Sequence, residues 1–297
     1  MTIQFNIDYR TTFGESLVLN VWEGDSLTKY HMLTSDGTRW SHTVAVKTPQ
    51  QSYSYYYSVM RDGKVSKCEW TVVMHRLEIS AGRADTYTVY DRWQAMPEDA
   101  YLYSSAFTDC INHQQPAVVQ PSKFARTVRL QVRAPQLRDG ELLTLAGAGK
   151  ALGDWNVSHS VRMTQHVYNE WVVDIDAGVL ENRRMEFKFV ASDSKATGNE
   201  HWETCMNRTV CLPEMNDGDV VVYHMGQAFF THCDRKLAGT LVPVFSLRSA
   251  GSAGVGDFGD LKTMIDYVEK TGQKLLQLLP VNDTTITHTW TDSYPYS

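Results

Sequence analysis

The residues with the plainest chemical use are tryptophans set among turn residues. Trp155 follows Ala151-Leu152-Gly153-Asp154, and Trp202 precedes Glu203; neither lies in an alternating strand run. An exposed indole can lie flat on the apolar face of a sugar ring. About 100 Å² of apolar contact per ring corresponds to about 2–3 kcal/mol gross, reduced by the cost of immobilising the partners. Lys188, in Glu186-Phe187-Lys188-Phe189-Val190, and Asn207, beside Arg208, can donate to hydroxyls. The competing reading of a tryptophan is core. Binding is the better reading for Trp155 and Trp202. Core is the better one for Trp171, flanked by strand apolars in EWVVDI, and for Trp40.

The other chemistry-bearing groups point to less. Asp257, Asp260, Asp283 and Asp292 lie near the end of the chain. Asp257 and Asp260 stand where a helix N-cap and first turn favour acids, and none of the four is a good nucleophile candidate. Gly254-Val255-Gly256-Asp257-Phe258-Gly259 spells GxGxxG. A dinucleotide fingerprint needs its first glycine at the turn that ends the strand; here Arg248 to Ala253 intervene, so that reading is the lesser one. Cys68, Cys110, Cys205, Cys211 and Cys233 are scattered with no CxxC pair. They therefore suggest no zinc site, and free thiols in a reducing cytoplasm are expected. No cofactor is implied. The net charge of −6 without a basic run disfavours nucleic acid. The first residues lack a signal-peptide core, and no apolar stretch approaches a membrane span.

The elements that must carry these residues read mainly as strands. Over residues 1–104, Ile3, Phe5 and Ile7 alternate with polar neighbours, as do Tyr53, Tyr55 and Tyr57, and Val44 with Val46. Glu23-Gly24-Asp25, Ser35-Asp36-Gly37 and Arg61-Asp62-Gly63 mark turns. Many short strands at this spacing predict a sandwich or barrel. Residues 105–122 carry little periodicity and read as a linker. Residues 123–232 then repeat the first region. Phe13-Gly14-Glu15 answers Asp139-Gly140-Glu141, and Arg39-Trp40-Ser41 answers Glu170-Trp171-Val172. Tyr53–Ser58 answers Met185–Val190, Glu69-Trp70 answers His201-Trp202, and Met74-His75-Arg76 answers Met206-Asn207-Arg208. Tyr90 and Gln94 answer Tyr223 and Gln227. Residues 236–297 differ: an apolar run at Leu241–Leu247, an amphipathic helix with Leu261, Met264, Ile265 and Val268, a stop at Gly272, and a second run at Leu275–Leu279. Strand, helix, strand predicts a parallel pair with a crossover helix, which needs further strands and cover on both faces.

Two family resemblances follow from these motifs. VPVFSLRS (242–249), GVGDFGDL (254–261), QLLPVNDT (277–284) and DSYPYS (292–297) resemble the start of the catalytic barrel of the 4-α-glucanotransferases, the amylomaltases or disproportionating enzymes of glycoside hydrolase family 77. The second β-region resembles a family 20 carbohydrate-binding module, a starch-binding domain, through Ala151–Asn156, Glu186–Val190, Trp202-Glu203 and Asn207-Arg208. The fold implied is two tandem immunoglobulin-like β-sandwiches followed by the first β-α-β of an incomplete (β/α)8 barrel. The partners implied are α-glucans: starch, glycogen and maltooligosaccharides. By resemblance Trp155, Trp202, Lys188 and Asn207 form the module's first starch site. α-1,4-Glucan is helical, so two indoles set at an angle fit its curvature better than coplanar ones. The first copy departs from the pattern: Tyr30 lies in the matching region, Tyr56 replaces the lysine, His75 the asparagine, and Trp70 is retained, so this copy is either a weaker binder through Trp70 or a packing domain. Phe13 takes the place of a second-site tyrosine. The implied reaction is retaining glycosyl transfer by two carboxylates, which the family carries on later strands. Tyr296 matches the family's substrate-contacting tyrosine. A barrel needs roughly 250 residues or more, so this chain is expected to bind glucan without catalysing transfer.

Overall fold

Period-two alternation sets the strands, and the strands assemble into more than the two separate sandwiches that a simple repeat suggests. The computed structural model describes residues 1–47, 51–79, 86–111, 117, 124–137, 140–167, 169–193, 199–231, 237–281, 287 and 289. They fall into two units, Met1–Cys233 and Asp234–Ser297.

The first unit opens with β1 (Thr2–Asp8), β2 (Glu15–Glu23), β3 (Ser26–His31), β4 (Arg39–Ala45), β5 (Ser52–Arg61), β6 (Lys64–Cys68), β7 (His75–Glu78) and β8 (Thr86–Arg92). The repeat supplies β9 (Thr127–Arg133), β10 (Glu141–Gly147), β11 (Val161–Arg162), β12 (Thr164–Val167), β13 (Glu170–Asp176), β14 (Arg184–Asp193), β15 (Glu200–Trp202), β16 (Arg208–Cys211) and β17 (Asp219–Gln227). Each copy has its own five-stranded sheet, β3-β2-β5-β6 with β7 beside β5, and β11-β10-β14-β15 with β16 beside β14. Their remaining strands merge into one seven-stranded sheet, β12-β13-β9-β17-β8-β1-β4.

The seam of that shared sheet is the parallel pair β8–β17, in which Tyr90 lies opposite Tyr223 and their rings stack at 4.9 Å and 11°. Val220 and Val222 pack into the first copy's core with Phe5, Tyr55, Tyr57 and Val89. Val221, Tyr223 and Met225 pack into the second copy's core with Leu130, Phe187 and Phe189. One strand thus feeds two cores from its two faces, as the pleat requires when both faces are covered. Trp40 and Trp171 are buried in the two cores. Within 105–122, Ala106–Ile111 forms a π-helical turn rather than an extended link.

The second unit contains β18 (Gly239–Val242), α1 (Phe258–Lys270) and β19 (Leu275–Leu278). The two strands pair in parallel. The apolar run from Leu241 is strand only as far as Val242; Val244–Ser246 turns as a 3-10 helix. Asp257 caps α1, its carboxylate accepting from the Gly259 and Asp260 backbone N–H groups at 2.7 and 3.1 Å, and Asp260 returns the bond to the Asp257 N–H at 3.0 Å. This is a capping box with acids in both roles. No helix among the described residues is long and apolar enough to cross a membrane.

Candidate functional site

A loop and a strand edge build an indole pair on the second copy. After β10 the chain turns through a 3-10 segment, Lys150–Leu152, then takes three left-handed residues in a row: Gly153 at φ 80°, Asp154 at 52° and Trp155 at 62°. A left-handed non-glycine residue costs about 1–2 kcal/mol. The loop is held nonetheless, because the Asp154 N–H donates to the Gly149 carbonyl at 3.0 Å and the Trp155 N–H to the Gly147 carbonyl at 2.8 Å. A Cβ on Gly147 would sit 2.4 Å from the Glu186 carbonyl oxygen, so only glycine lets the loop lie this close to β14. Strain retained in a loop of this kind is typical of functional positions.

On the facing edge, β15 brings Trp202 opposite Val190 of β14. The Trp155 and Trp202 rings lie 6.3 Å apart with their planes at 37°, and Trp202 is 37% exposed. Lys188 and Asn207 flank them through their own contacts. The Lys188 ammonium donates to the Glu203 carbonyl at 3.2 Å, and the Asn207 amide donates to the Glu186 carboxylate at 2.8 Å. Lys188 has three donor hydrogens and this bond uses one. The structure therefore sets Trp155 beside Trp202, ties Lys188 to the residue after Trp202, and ties Asn207 to Glu186 on the strand that carries Lys188.

Two residues that sequence reasoning quoted without a role hold this surface together. Glu203 is buried and accepts from both Nε and Nη of Arg208 at 2.9–3.0 Å, and from the Phe189 N–H at 3.0 Å. Arg208 also donates to the Met225 and Gln227 carbonyls at 2.6 and 2.8 Å. Glu203 follows Trp202 and Arg208 follows Asn207, so this buried ion pair fixes the backbone beneath both contact residues. The signal was their adjacency to the contact residues.

Among the described residues, the first copy shows no such surface. Its β2 runs straight into β3, and no loop like 148–160 follows the strand. The register also corrects the repeat. Glu69 bonds the Tyr57 N–H at 2.7 Å as Glu203 bonds that of Phe189. Cys68 pairs with Ser58 as Trp202 pairs with Val190. Cys68, not Trp70, therefore answers Trp202. Trp70 stands edge-on to Tyr103 at 5.3 Å and 80°. His75 pairs with Tyr55 as Arg208 pairs with Phe187, so it answers the arginine, not the asparagine. It is buried against Glu69 at 3.1 Å and is no surface donor. Tyr30 donates to Glu23 at 2.9 Å, and burial with that bond pushes its hydroxyl up to about 12. Phe13 is fully exposed.

In the second unit, Asp260 is buried and bonded by the Ser249 and Ser252 hydroxyls, the first a very short contact, and these hold its carboxyl below the usual range. Asp257 and Asp260 are thus occupied structurally. Gly254 is far from the end of β18 at Val242, and a Cβ on Gly256 would meet the Val244 carbonyl oxygen at 2.2 Å. This loop is packed on itself and offers no phosphate cradle. Asp283, Asp292, Ser293 and Tyr296 lie outside the described residues.

Angled, partly exposed indoles on a β-sheet edge offer flat apolar faces of the size of a sugar ring. Residues 125–222 match the family model described as the starch binding domain, and residues 242–297 that described as 4-alpha-glucanotransferase. Two separate stretches of the chain are thus similar to these two families. A 4-alpha-glucanotransferase DPE2 of Oryza sativa subsp. japonica is 26% identical over 320 residues, taking in 100% of this chain and 33% of its own. The 4-alpha-glucanotransferase of Chlamydia trachomatis serovar D is 50% identical over 46 residues, 16% of this chain and 9% of that protein. A cyclomaltodextrin glucanotransferase of Geobacillus stearothermophilus is 31% identical over 98 residues, 32% of this chain and 14% of that one. The chain thus spans 33% of the length of the Oryza relative.

Proposed function

We propose that this protein binds α-1,4-glucan on the Trp155–Trp202 surface and serves a cytoplasmic 4-α-glucanotransferase, which moves glucan segments between maltooligosaccharides, starch or glycogen. The observation that carries the binding reading is the indole pair, 6.3 Å apart at 37°. Two flat faces at that angle follow the curvature of a helical glucan, and Lys188 and Asn207 meet the hydroxyl rim. A module on the same chain as a glucan-processing domain raises the local concentration of substrate. Cys68, Cys205 and Cys211 are free thiols, which supports a reducing compartment.

The test is calorimetric titration of β-cyclodextrin into the chain and into the Trp155→Ala, Trp202→Ala double variant. We expect binding by the first and none by the second. Equal binding by both would move the site elsewhere, with Trp70 the next residue to replace. Absence of binding by either would end the carbohydrate reading. Disproportionation of maltotriose by the same protein, followed by chromatography, would assign transfer itself to this chain; binding without products would leave glucan capture as its activity.

A further inference from the structure

We propose that His75, Asp91, His224 and Gln94 hold a divalent transition-metal ion, of which zinc is the best match, at the seam of the two β copies. The ligand atoms of His75, Asp91 and His224 lie within 4.8 Å of one another, and all three residues are buried. They come from β7, β8 and β17, so the site exists only because the seven-stranded sheet joins the copies.

The imidazoles are oriented as metal ligands are. His75 turns Nε2 to the Glu69 carboxylate at 3.1 Å, leaving Nδ1 2.8 Å from the Gln94 amide and 3.4 Å from Asp91 Oδ1. His224 turns Nε2 to the Arg76 carbonyl at 3.1 Å, and its Nδ1 makes a very short contact with the same Asp91 oxygen. An outer N–H anchored to a carboxylate or carbonyl, with the inner nitrogen aimed at a shared centre, is the usual second shell of a metal-bound histidine. Tyr57 and Tyr55 donate to Asp91 at 2.6 and 3.2 Å and orient the carboxylate. The Gln94 amide lies 2.8 Å from His75 Nδ1; turned to present its oxygen, it completes a set of two nitrogens and two oxygens, a donor number and type that suit zinc.

Charge and space agree. The Asp91 and Glu69 side chains are 0% and 1% exposed, so two buried negative charges face this node, and a divalent ion neutralises both. Beside it is a cavity of about 20 Å³ lined by His75, His224, Gln94, Gln131 and Glu170, with Arg92 and with Arg133, which Glu170 pairs at 3.9 Å; it has room for about one water. Both amide atoms of buried Gln131 lack a hydrogen-bond partner, and an ion-bound water there would satisfy them. Reading cysteine spacings could not reveal a site assembled from distant histidines and an aspartate.

The protein is stripped with a chelator, dialysed and titrated with Co²⁺, whose visible absorption reports four-coordinate nitrogen and oxygen ligation. Zn²⁺ is then added in competition, and melting is followed by circular dichroism. We expect one ion per chain, displacement by zinc and a higher Tm with zinc than without. His224→Gln should lose about 100-fold or more in cobalt affinity, and Glu69→Gln about 10–100-fold. Should His224→Gln fold poorly, Gln94→Glu, which adds a carboxylate donor, should instead bind cobalt more tightly than the unaltered chain. No cobalt spectrum and an unchanged Tm would overturn the proposal and leave the node held by protons alone. Equal binding by His224→Gln, or a thiolate charge-transfer band, would place the ion on surface cysteines and overturn it as well.

Discussion

Trp155 and its neighbours show how a contact residue can be held against its own preference. Its backbone sits at φ 62°, directly after Asp154 at 52°, a conformation that glycine takes without penalty. Trp155→Gly should therefore leave the unfolding free energy unchanged or raise it, by up to about 1–2 kcal/mol of relieved strain, while β-cyclodextrin affinity falls tenfold or more. Calorimetry of the one variant reads both, and a clear loss of stability would show that the indole is packing rather than binding. Arg208 is the opposite case. Its fork neutralises buried Glu203, and removing one partner of such a pair costs about 3–5 kcal/mol. Arg208→Ala should lower the urea midpoint by a matching amount and weaken glucan binding, since Trp202 and Asn207 rest on the pair. An unaltered midpoint would dismiss the clamp.

At the scale of elements, turns decide how strands enter the sheets. The turn before β4 is gathered by Asp36, whose carboxylate accepts from the Arg39 and Thr38 N–H groups at 2.9 and 2.8 Å. Those bonds, Arg39 first, pull its pKa down to about 2. A carboxylate depressed below the ordinary value of about 3.9 favours the folded turn above that value and loses its contribution as pH falls towards 2. An NMR titration should find Asp36 still ionised at pH 3, and Asp36→Asn should flatten the acid limb of the stability curve between about pH 4 and 2. A resonance titrating at an ordinary value would contradict this. Tight turns elsewhere are marked by glycines at positive φ, as at Gly14 and Gly140, which precede β2 and β10 at φ 85° and 83° and confirm that part of the repeat.

Across the whole first unit, β17 is the element on which both copies depend. Val222 belongs by sequence to the second copy and by packing to the first core, beside Tyr55 and Tyr57. Val222→Asp buries a carboxylate with no partner there, and so should destabilise the first copy. Hydrogen exchange in β5 should accelerate, although the substitution is in β17. Protection of β5 at its original level would mean that the copies fold independently. For the same reason Met1–Cys233 should unfold in one calorimetric transition, with van't Hoff and calorimetric enthalpies equal.

Much of this molecule was legible in the residues themselves. Ile3-Phe5-Ile7 and Tyr53-Tyr55-Tyr57 alternate because one face of each strand is buried, and turn residues bound them. Leu-Gly-Asp-Trp carries the glycine that its loop requires. The amphipathic run after Asp257 forms the helix, with its cap in place. These are local consequences of side-chain size, periodicity and backbone freedom, and neighbouring residues suffice to encode them. The shared sheet was not legible, because the β8–β17 pairing joins strands far apart in sequence and is chosen by how two apolar faces are covered at once. The exchange of Trp70 for Cys68 as the partner of Trp202 has the same origin: type matching aligned tryptophan with tryptophan, whereas the hydrogen bonds align Glu69 with Glu203. The buried histidine–aspartate node is likewise a product of tertiary structure alone, since only the completed sheet brings His75, Asp91 and His224 to one point.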